Sequence, residues 1–256
     1  MLGRDVMLAA GNAGHDVVGF GRSGLDVTDP AALAKKFDLE RPDVVINCAA
    51  WTDVDGAEAA EEAAFAVNGT GAGNVAAAAA AVGASVVYVS SDYLFDGAKG
   101  AAYVESDQVA PLSAYGRTKL AGEEATIAAN KRHFVVRSAW LFGIGGANFV
   151  ETMLRLAGSG NEVLVVRDQV GSPTYTWHLA YVIVRLIEGI EFGIHHMAAA
   201  GQCSWYEFAR EIFEQAKVEC KVLSLTTEEA NISAAVGGAL VGVVMGLVLP
   251  RITRKA

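Results

Sequence analysis

Helical patterns and short apolar runs alternate along the first 145 residues. Apolar runs bounded by turn residues lie at 43–47, 85–89 and 134–136, and a further strand is predicted at 15–20. A strand that is apolar on both faces is typical of a parallel sheet buried between helix layers. Helical spacing predicts helices at 2–10, 30–39, 57–66, 68–82 and 112–129. We therefore expect an α/β fold with a doubly wound parallel sheet.

The pattern becomes less regular after Gly143. Helices are predicted at 148–157, 176–187 and 204–216, and a strand at 163–166. We expect residues 1–145 to form the first domain, with 168–190 packing back on it. Residues 146–230 are expected to form a smaller α/β portion that closes over the ends of the strands, and 231–256 an atypical apolar tail.

Composition and charge narrow the class of protein. The 256 residues carry a net charge of −9 and are 52% hydrophobic, which suits a packed core and excludes a disordered chain. Basic residues are not clustered in any segment, so a nucleic-acid partner is not expected. The three cysteines are scattered, which argues against a disulfide framework and fits a reducing cytoplasm. No set of His, Cys and acidic residues indicates a metal site.

Tyr115 and Lys119 are the first candidates for chemistry. On a helix, residues four apart share a face, so the phenol and the ammonium project to the same side. A nearby cation favours the phenolate, so we expect the pKa of Tyr115 to be lowered, which would suit a general acid or base. An isolated YxxxK pattern is more often an ordinary exposed pair, so the interpretation depends on its surroundings.

Polar or aromatic residues follow three of the predicted strands. Ser91 comes directly after one strand, residues 48–55 follow the preceding one, and residues 138–140 follow the next. In an open parallel sheet, ligands bind beyond the carboxyl ends of the strands. The small residues at 48–50 would let a flat cofactor approach, and the Ser91 hydroxyl could donate to a carbonyl oxygen. The sequence therefore predicts a binding site at this edge.

Five blocks in register resemble one family. They are AAWTDVD, SSDYLFDG, PLSAYGRTK, RSAWLFG and DQVGSPT. In their order and spacing they are similar to the dTDP-4-dehydrorhamnose reductases, a branch of the extended short-chain dehydrogenases/reductases, and the similarity runs from Met1 to about Thr227. The resemblance implies a Rossmann-like NADP-binding domain at 1–145 and a substrate-binding portion at 146–230.

The resemblance also implies roles for individual residues. Tyr115 matches the tyrosine that protonates the sugar's C4 oxygen, Lys119 the lysine that binds the nicotinamide ribose, and Ser91 stands where the family usually has threonine. Positions implied to contact the sugar nucleotide are Ser91, Asp92, Val54 and Trp140. Positions implied to contact the cofactor, besides Tyr115 and Lys119, are Gly3, Arg22, Asp26, Val27, Ala49, Ala50, Trp51 and Thr52. For Arg22, binding of the NADP 2′-phosphate and a solvated loop charge are equally open.

The implied reaction is the NADPH-dependent reduction of the C4 keto group of dTDP-4-dehydro-L-rhamnose to dTDP-L-rhamnose in the cytoplasm. NADH is the alternative cofactor, and Mg²⁺ and a homodimer are implied by the resemblance alone. Two other functions are open. One is reduction of a different nucleotide-linked 4-keto-deoxysugar, and the other is a non-catalytic regulatory subunit related to the methionine adenosyltransferase beta subunit.

Both ends of the chain depart from the family. The family's first strand and its glycine-rich turn are absent except for Gly3, which indicates a late start to the sequence or weak dinucleotide binding, and we favour the late start. Residues 232–249 are uncharged over 18 positions, with Gly238, Gly242 and Gly246 at four-residue spacing. A membrane anchor, a buried glycine-faced helix and an out-of-frame or fused segment compete as interpretations. We favour the last, so membrane contact is the less favoured outcome.

Overall fold

The computed structural model describes residues 1–160 and 162–230, so the predicted apolar tail lies outside the described residues. The α-helices are α1 (Leu2–Asn12), α2 (Pro30–Glu40), α3 (Val54–Ala59), α4 (Glu61–Phe65), α5 (Gly71–Ala81), α6 (Ala114–Ala129), α7 (Phe149–Ala157), α8 (Thr176–Ile187) and α9 (Trp205–Ala216). The strands are β1 (Val44–Asn47), β2 (Ser85–Ser91), β3 (His133–Ser138), β4 (Leu141–Phe142), β5 (Glu162–Val166), β6 (Val170–Gly171), β7 (Thr174–Tyr175), β8 (Gly193–His196), β9 (Cys203–Ser204) and β10 (Lys221–Leu225).

The central sheet is parallel throughout, in the order β1-β2-β3-β8. Its register places Val87 of β2 between Ile46 of β1 and Phe134 of β3. The predicted apolar runs form its middle, and α2 and α5 pack their apolar faces against β2. A run that is apolar on both faces is stable only where both faces are covered. The predicted α/β class with a parallel sheet is confirmed.

The strand predicted at 15–20 is wrong. This segment has no regular structure, and its apolar side chains are exposed, with Val18 at 56% and Phe20 at 41%. A strand is held by hydrogen bonds to a neighbouring strand. None of the described strands pairs with residues 15–20, so the apolar pattern alone does not produce a strand there.

Two other segments differ from the sequence prediction. The two helices predicted at 57–66 and 68–82 are joined by a π-helical turn, Ala66–Thr70, so the chain has no break between them. The strand β10 was not predicted, and it pairs in parallel with β5 over five residues. Lys221 and Ser224 interrupt its apolar residues, so the segment shows neither a continuous apolar run nor a strict alternation.

The described chain divides into two units. The sheet unit contains Leu2–Ser138 and Trp177–Met197, and the C-terminal unit contains Met1, Ala139–Thr176 and the described residues that follow Met197. The sequence placed the first boundary at 145 and the returning segment at 168–190. Assignment of the two units to cofactor and to substrate stays a prediction.

The C-terminal unit has its own hydrophobic core. Helices α7 and α9 cover the two-stranded sheet of β5 and β10, with Met153 and Ala209 fully buried at the centre. Helix α9 begins with a capping box, because the Ser204 hydroxyl accepts from the Glu207 N–H and the Glu207 carboxylate accepts from the Ser204 N–H. This fixes where Trp205, the first residue of α9, enters the core.

Within residues 1–160 and 162–230, every helix is too short or too polar to cross a membrane.

Candidate active site

Helix α6 carries two of the predicted catalytic side chains in its first two turns. Ser113 caps the helix, and its hydroxyl accepts from the Gly116 N–H at 2.9 Å. Tyr115 and Lys119 follow one turn apart, and the Ser91 hydroxyl at the end of β2 is a hydrogen-bonding neighbour of the Tyr115 hydroxyl. The structure therefore brings the end of β2 and the start of α6 together, as the sequence predicted for this edge of the sheet.

Lys119 is buried, with 2% of its surface exposed. Its Nζ donates to the Val89 carbonyl oxygen at 2.6 Å and lies 4.2 Å from the centre of the Tyr88 ring. Among the described residues, Val89 O is the one hydrogen-bond acceptor of this ammonium, which has three N–H groups. Lys119 thus ties α6 to the same strand that ends in Ser91, and it keeps donor capacity for a ligand.

The protonation equilibria differ from the sequence expectation. Burial raises the pKa of Tyr115 to about 12, although the hydrogen bond with Ser91 opposes the shift. Burial lowers the pKa of Lys119 to about 7, against the opposing charge of Glu123. The expectation that the pKa of Tyr115 is lowered is therefore wrong, because loss of water around the phenol and the nearby charge of Asp92 both raise it. Tyr115 is a protonated hydroxyl at neutral pH.

Asp92 stands next to this pair. The Ser91 hydroxyl donates to Asp92 Oδ1 at 3.1 Å, and burial raises the pKa of the Asp92 carboxyl to about 6. Tyr93 lies edge-on to Tyr115, with ring centroids 5.4 Å apart. The Tyr115 phenol is thus surrounded by aromatic and partly buried polar groups, an environment that orients its hydroxyl.

Asn68 is a buried residue that sequence reasoning missed. Its Oδ1 accepts from the Trp51 N–H at 2.8 Å, and its Nδ2 donates to Trp51 O at 3.1 Å and to Thr118 Oγ1 at 3.0 Å. The Thr118 hydroxyl in turn donates to the Tyr115 carbonyl oxygen at 2.8 Å. Asn68 lies in the π-helical turn, a feature frequent at functional sites. The polar Asn-Gly interruption of an alanine-rich helix was the available signal.

The loop after β1 lies beside the same helix. Trp51 and Tyr115 pack on one cluster of three buried alanines, which are Ala57, Ala64 and Ala114. Ala49 and Thr52 are exposed and Ala50 is half-buried, and Val54 begins α3 behind the Asp53 cap. Of the four positions implied to line the cofactor at 49–52, Trp51 therefore packs beside Tyr115.

Gly3 lies in the first turn of α1, beside that loop. A Cβ at Gly3 would sit 3.5 Å from the Cβ of Cys48. The N-terminus of an 11-residue helix thus stands next to the end of β1. Free N–H groups at a helix N-terminus favour phosphate.

Arg22, Asp26 and Val27 occupy a separate loop before α2. Asp26 accepts from the Thr28 N–H and hydroxyl and lies 3.6 Å from the exposed Arg22 guanidinium. Val27 O accepts from Asn74 Nδ2 at 3.1 Å. Among the described residues, no hydrogen bond or ion pair joins this loop to Tyr115, Ser91 or Lys119. The loop is therefore held by its own contacts and is not linked to the Tyr115 and Ser91 hydroxyls.

Trp140 belongs to the C-terminal unit. Its φ of +49° is a left-handed conformation that costs a bulky residue roughly 1–3 kcal/mol. Its ring stacks on Trp205 with centroids 3.4 Å apart and planes 7° from parallel. The predicted substrate residue thus has a fixed and strained position.

The residues present fit a nicotinamide ribose. The Lys119 ammonium has donors to spare for ribose hydroxyls, and the small residues of the 49–52 loop leave room for a flat ring. Ser138 Oγ, at the end of β3 and opposite Ser91 in register, is buried without a hydrogen-bond partner in the described chain. In residues 1–160 and 162–230, no three His, Cys, Asp or Glu side chains are grouped to hold a metal ion.

A family defined as the RmlD substrate binding domain matches residues 1–236. The spore coat polysaccharide biosynthesis protein SpsK of Bacillus subtilis is 40% identical, over 89% of this chain and 80% of that protein. The dTDP-4-dehydrorhamnose reductase of Mycobacterium tuberculosis is 44% identical, over 84% of this chain and 72% of that protein.

A solved structure agrees with the sequence relatives. The crystal structure of dTDP-4-dehydrorhamnose reductase from Bacillus anthracis, in complex with NADP, has a TM-score of 0.87 and 40% identity. The match covers 89% of this chain and 82% of that one. Likeness at this level confirms the Rossmann-like α/β fold.

Proposed function

The chain belongs to the RmlD substrate binding domain family, and from that premise we propose that it reduces the C4 ketone of dTDP-4-dehydro-L-rhamnose to dTDP-L-rhamnose with NADPH. One observation carries the proposal. The Tyr115 hydroxyl lies next to the Ser91 hydroxyl at the end of a parallel strand, with Lys119 one turn along the same helix. Two hydroxyl donors and a buried cation are suited to a ketone that acquires negative charge.

The chain's own residues would polarise the ketone and supply a proton. NADPH, when bound, supplies the hydride that reaches C4. The Ser91 and Tyr115 hydroxyls donate hydrogen bonds to the C4 oxygen, where negative charge develops. The Tyr115 proton then moves to that oxygen, so the C=O bond becomes a C–H and an O–H bond and Tyr115 is left as a phenolate. Solvent returns the proton to the phenol.

The raised pKa of Tyr115 supports this direction of reaction. A phenol whose pKa is about 12 is protonated at neutral pH, so the acid is in place before the ketone is reduced. The protonated form of Lys119, one turn away, would favour the phenolate that remains after transfer. Because burial lowers the pKa of Lys119 to about 7, that assistance depends on pH near neutrality.

Other residues are proposed to hold the cofactor. Lys119 would donate to the nicotinamide ribose, and Ala49, Ala50, Trp51 and Thr52 would flank it. Gly3 and the start of α1 would face the pyrophosphate, with Asp26 and Val27 near the adenine. Arg22 would bind the 2′-phosphate, since its guanidinium is exposed and its one ion pair among the described residues is long, at 3.6 Å. That contact would give the preference for NADPH over NADH.

The sugar nucleotide is proposed to contact Ser91, Asp92, Val54 and Trp140. These four positions rest on the resemblance, and the half-buried setting of Asp92 beside Ser91 supports the first two. A homodimeric state and a cytoplasmic location belong to the same proposal; the dimer rests on the resemblance alone, and the location also on the scattered cysteines.

The direct test is NADPH oxidation by the purified chain with dTDP-4-dehydro-L-rhamnose. We expect consumption of NADPH and formation of dTDP-L-rhamnose by chromatography. A protein that binds NADPH yet consumes none with this ketone would refute the proposal. Consumption only with a different nucleotide-linked 4-keto sugar would keep the chemistry and change the substrate.

A further inference from the structure

Trp140 has the one left-handed non-glycine backbone among the described residues that no helix end explains. The other two, Arg41 and Lys217, are the C-caps of α2 and α9. A left-handed residue is common at the end of a helix because it closes the last turn. Trp140 instead lies between β3 and β4, at a φ of +49°. A bulky side chain keeps such a conformation only where its surroundings hold it.

Two neighbours in the C-terminal unit hold the Trp140 indole. Trp205 stacks on it face to face, 3.4 Å away, and is itself fixed by Phe149, whose ring centre is 4.5 Å from that of Trp205. Gly171 lies against the indole edge that bears Nε1, and a Cβ at this position would overlap Cε2 of Trp140. Thr174 N–H also donates to the Trp140 carbonyl oxygen at 3.1 Å.

We propose that Trp205 and Gly171 are positioning residues that hold the Trp140 indole in the orientation in which it binds the sugar nucleotide. This inference rests on the proposed function, in which Trp140 contacts that substrate. Trp205 supplies a rigid surface for one face of the ring, and Gly171 supplies the space for its edge. Without either one, the Trp140 backbone returns to an ordinary φ and the ring leaves its place.

A role in positioning gives a particular kinetic signature. Trp140 has no hydroxyl or acid to give to the ketone, so its contact stabilises bound substrate and transition state alike. Loss of such uniform binding raises KM and leaves kcat unchanged. Binding of NADPH is assigned to residues of the sheet unit, so the KM for NADPH does not change.

The experiment compares three variants with the wild-type enzyme. Trp205→Leu removes the stacking surface, and Gly171→Ala pushes on the indole, since the three atoms nearest to the new Cβ all belong to Trp140. Gly171 has no left-handed φ, so alanine there changes only the space. In both we expect the KM for dTDP-4-dehydro-L-rhamnose to rise about tenfold or more while kcat changes less than about threefold. Trp205→Phe keeps an aromatic surface and restores most of the affinity.

Phe208→Leu is the matched control. Phe208 packs against Phe149 and Trp205 in the same core, with ring centroids 5.4 Å and 6.4 Å away. Among the described residues it forms no ring pair with Trp140. The KM of Phe208→Leu for dTDP-4-dehydro-L-rhamnose should stay within about twofold of wild type. A general loosening of the core would raise it as much as in the other variants, whereas loss of the Trp140 orientation does not affect it.

The outcomes separate this inference from the function on which it rests. An unchanged KM in Gly171→Ala and Trp205→Leu, or an equal rise in Phe208→Leu, overturns the positioning role while the reductase assignment stands. A wild-type chain that reduces no sugar nucleotide overturns both. If Trp205→Leu does not fold, Gly171→Ala and Trp205→Phe decide, since each keeps an aromatic ring at 205.

Discussion

The Lys119 ammonium donates a 2.6 Å hydrogen bond to the carbonyl oxygen of Val89, two residues before Ser91 on β2. This bond fixes the distance between the strand that carries Ser91 and the helix that carries Tyr115. It also explains why the ammonium can be buried at 2% exposure, since a charged donor with a carbonyl partner loses less on leaving water. The same hydrogen bond therefore positions Lys119 at the candidate site and allows its ammonium to be buried.

The first prediction concerns the Tyr115 proton. Tyr115→Phe keeps the ring and its packing but removes the proton donor, so we expect turnover to fall about 10²–10⁴-fold. The dissociation constant for NADPH, followed by its fluorescence, should change little. Tyr103→Phe is the control, because the Tyr103 hydroxyl donates to Asp96 on an exposed loop. Turnover by Tyr115→Phe equal to that of the control would remove Tyr115 from the mechanism.

The second prediction links Lys119 to stability. Burial lowers the folded-state pKa of Lys119 to about 7, below the value of 10.5 for an exposed lysine. Between these values the unfolded chain binds more protons than the folded chain, so the free energy of unfolding rises with pH. Lys119→Met removes this titration. Urea denaturation at pH 7 to pH 10 should show a smaller rise for Lys119→Met than for wild type, and parallel curves would contradict the lowered pKa of Lys119.

The third prediction concerns Glu123, which lies one turn beyond Lys119 on α6. Its carboxylate raises the pKa of Lys119 against the effect of burial and is bound by Arg137 at 2.7 Å. Glu123→Gln should therefore lower the pKa of Lys119. In the proposed mechanism the protonated Lys119 assists reduction, so the rate should fall as pH rises through that pKa, and the fall should begin at lower pH in the variant.

The matched control for Glu123 is its exposed neighbour. Glu124→Gln removes the same charge from the same helix but on the solvent side, so the pH profile of kcat should not move. A uniform loss of rate at every pH in Glu123→Gln, with no shift of the profile, would show that Glu123 acts only through packing with Arg137.

The fourth prediction concerns the buried Asn68. Asn68→Ala leaves the Trp51 N–H and other polar groups without partners, and an unsatisfied buried group costs roughly 1–3 kcal/mol. The free energy of unfolding should fall by at least about that amount in urea denaturation. Asn74→Ala, which loses one hydrogen bond to Val27 O, should cost about 1 kcal/mol or less. Equal losses in the two variants would contradict the role of Asn68 as a tie between the loop and α6.

The sequence was informative where a contact depends on local spacing. Tyr115 and Lys119 share a face because they lie four apart on a helix, and Ser91 lies beside Tyr115 because β2 ends at the edge where α6 begins. The pKa directions could not be predicted, since they follow from how deeply Lys119 and Tyr115 are buried, which long-range packing decides. The strand at 15–20 failed for a similar reason, because pairing requires a neighbour that no local pattern supplies.

Other features had even weaker signals. The contacts of Asn68 join residues 17 and 50 positions away, so only the interruption of the alanine-rich helix pointed to it. The stacking of Trp140 on Trp205 joins two residues that lie far apart in the sequence. Its left-handed φ is a product of packing, since nothing in the sequence favours that conformation for tryptophan.

The last prediction concerns the choice of cofactor and Arg22. An Arg–phosphate contact is charge-assisted, and such bonds contribute about 1.5–3 kcal/mol, which corresponds to roughly 10–100-fold in affinity. Arg22→Ala should therefore raise the KM for NADPH by about tenfold or more and leave the KM for NADH unchanged, because NADH has no 2′-phosphate. Arg41→Ala, another exposed arginine whose charge pairs with Asp38, is the control and should change neither value. Equal changes for the two cofactors would mean that Arg22 shapes its loop through Asp26, and that the preference for NADPH lies elsewhere.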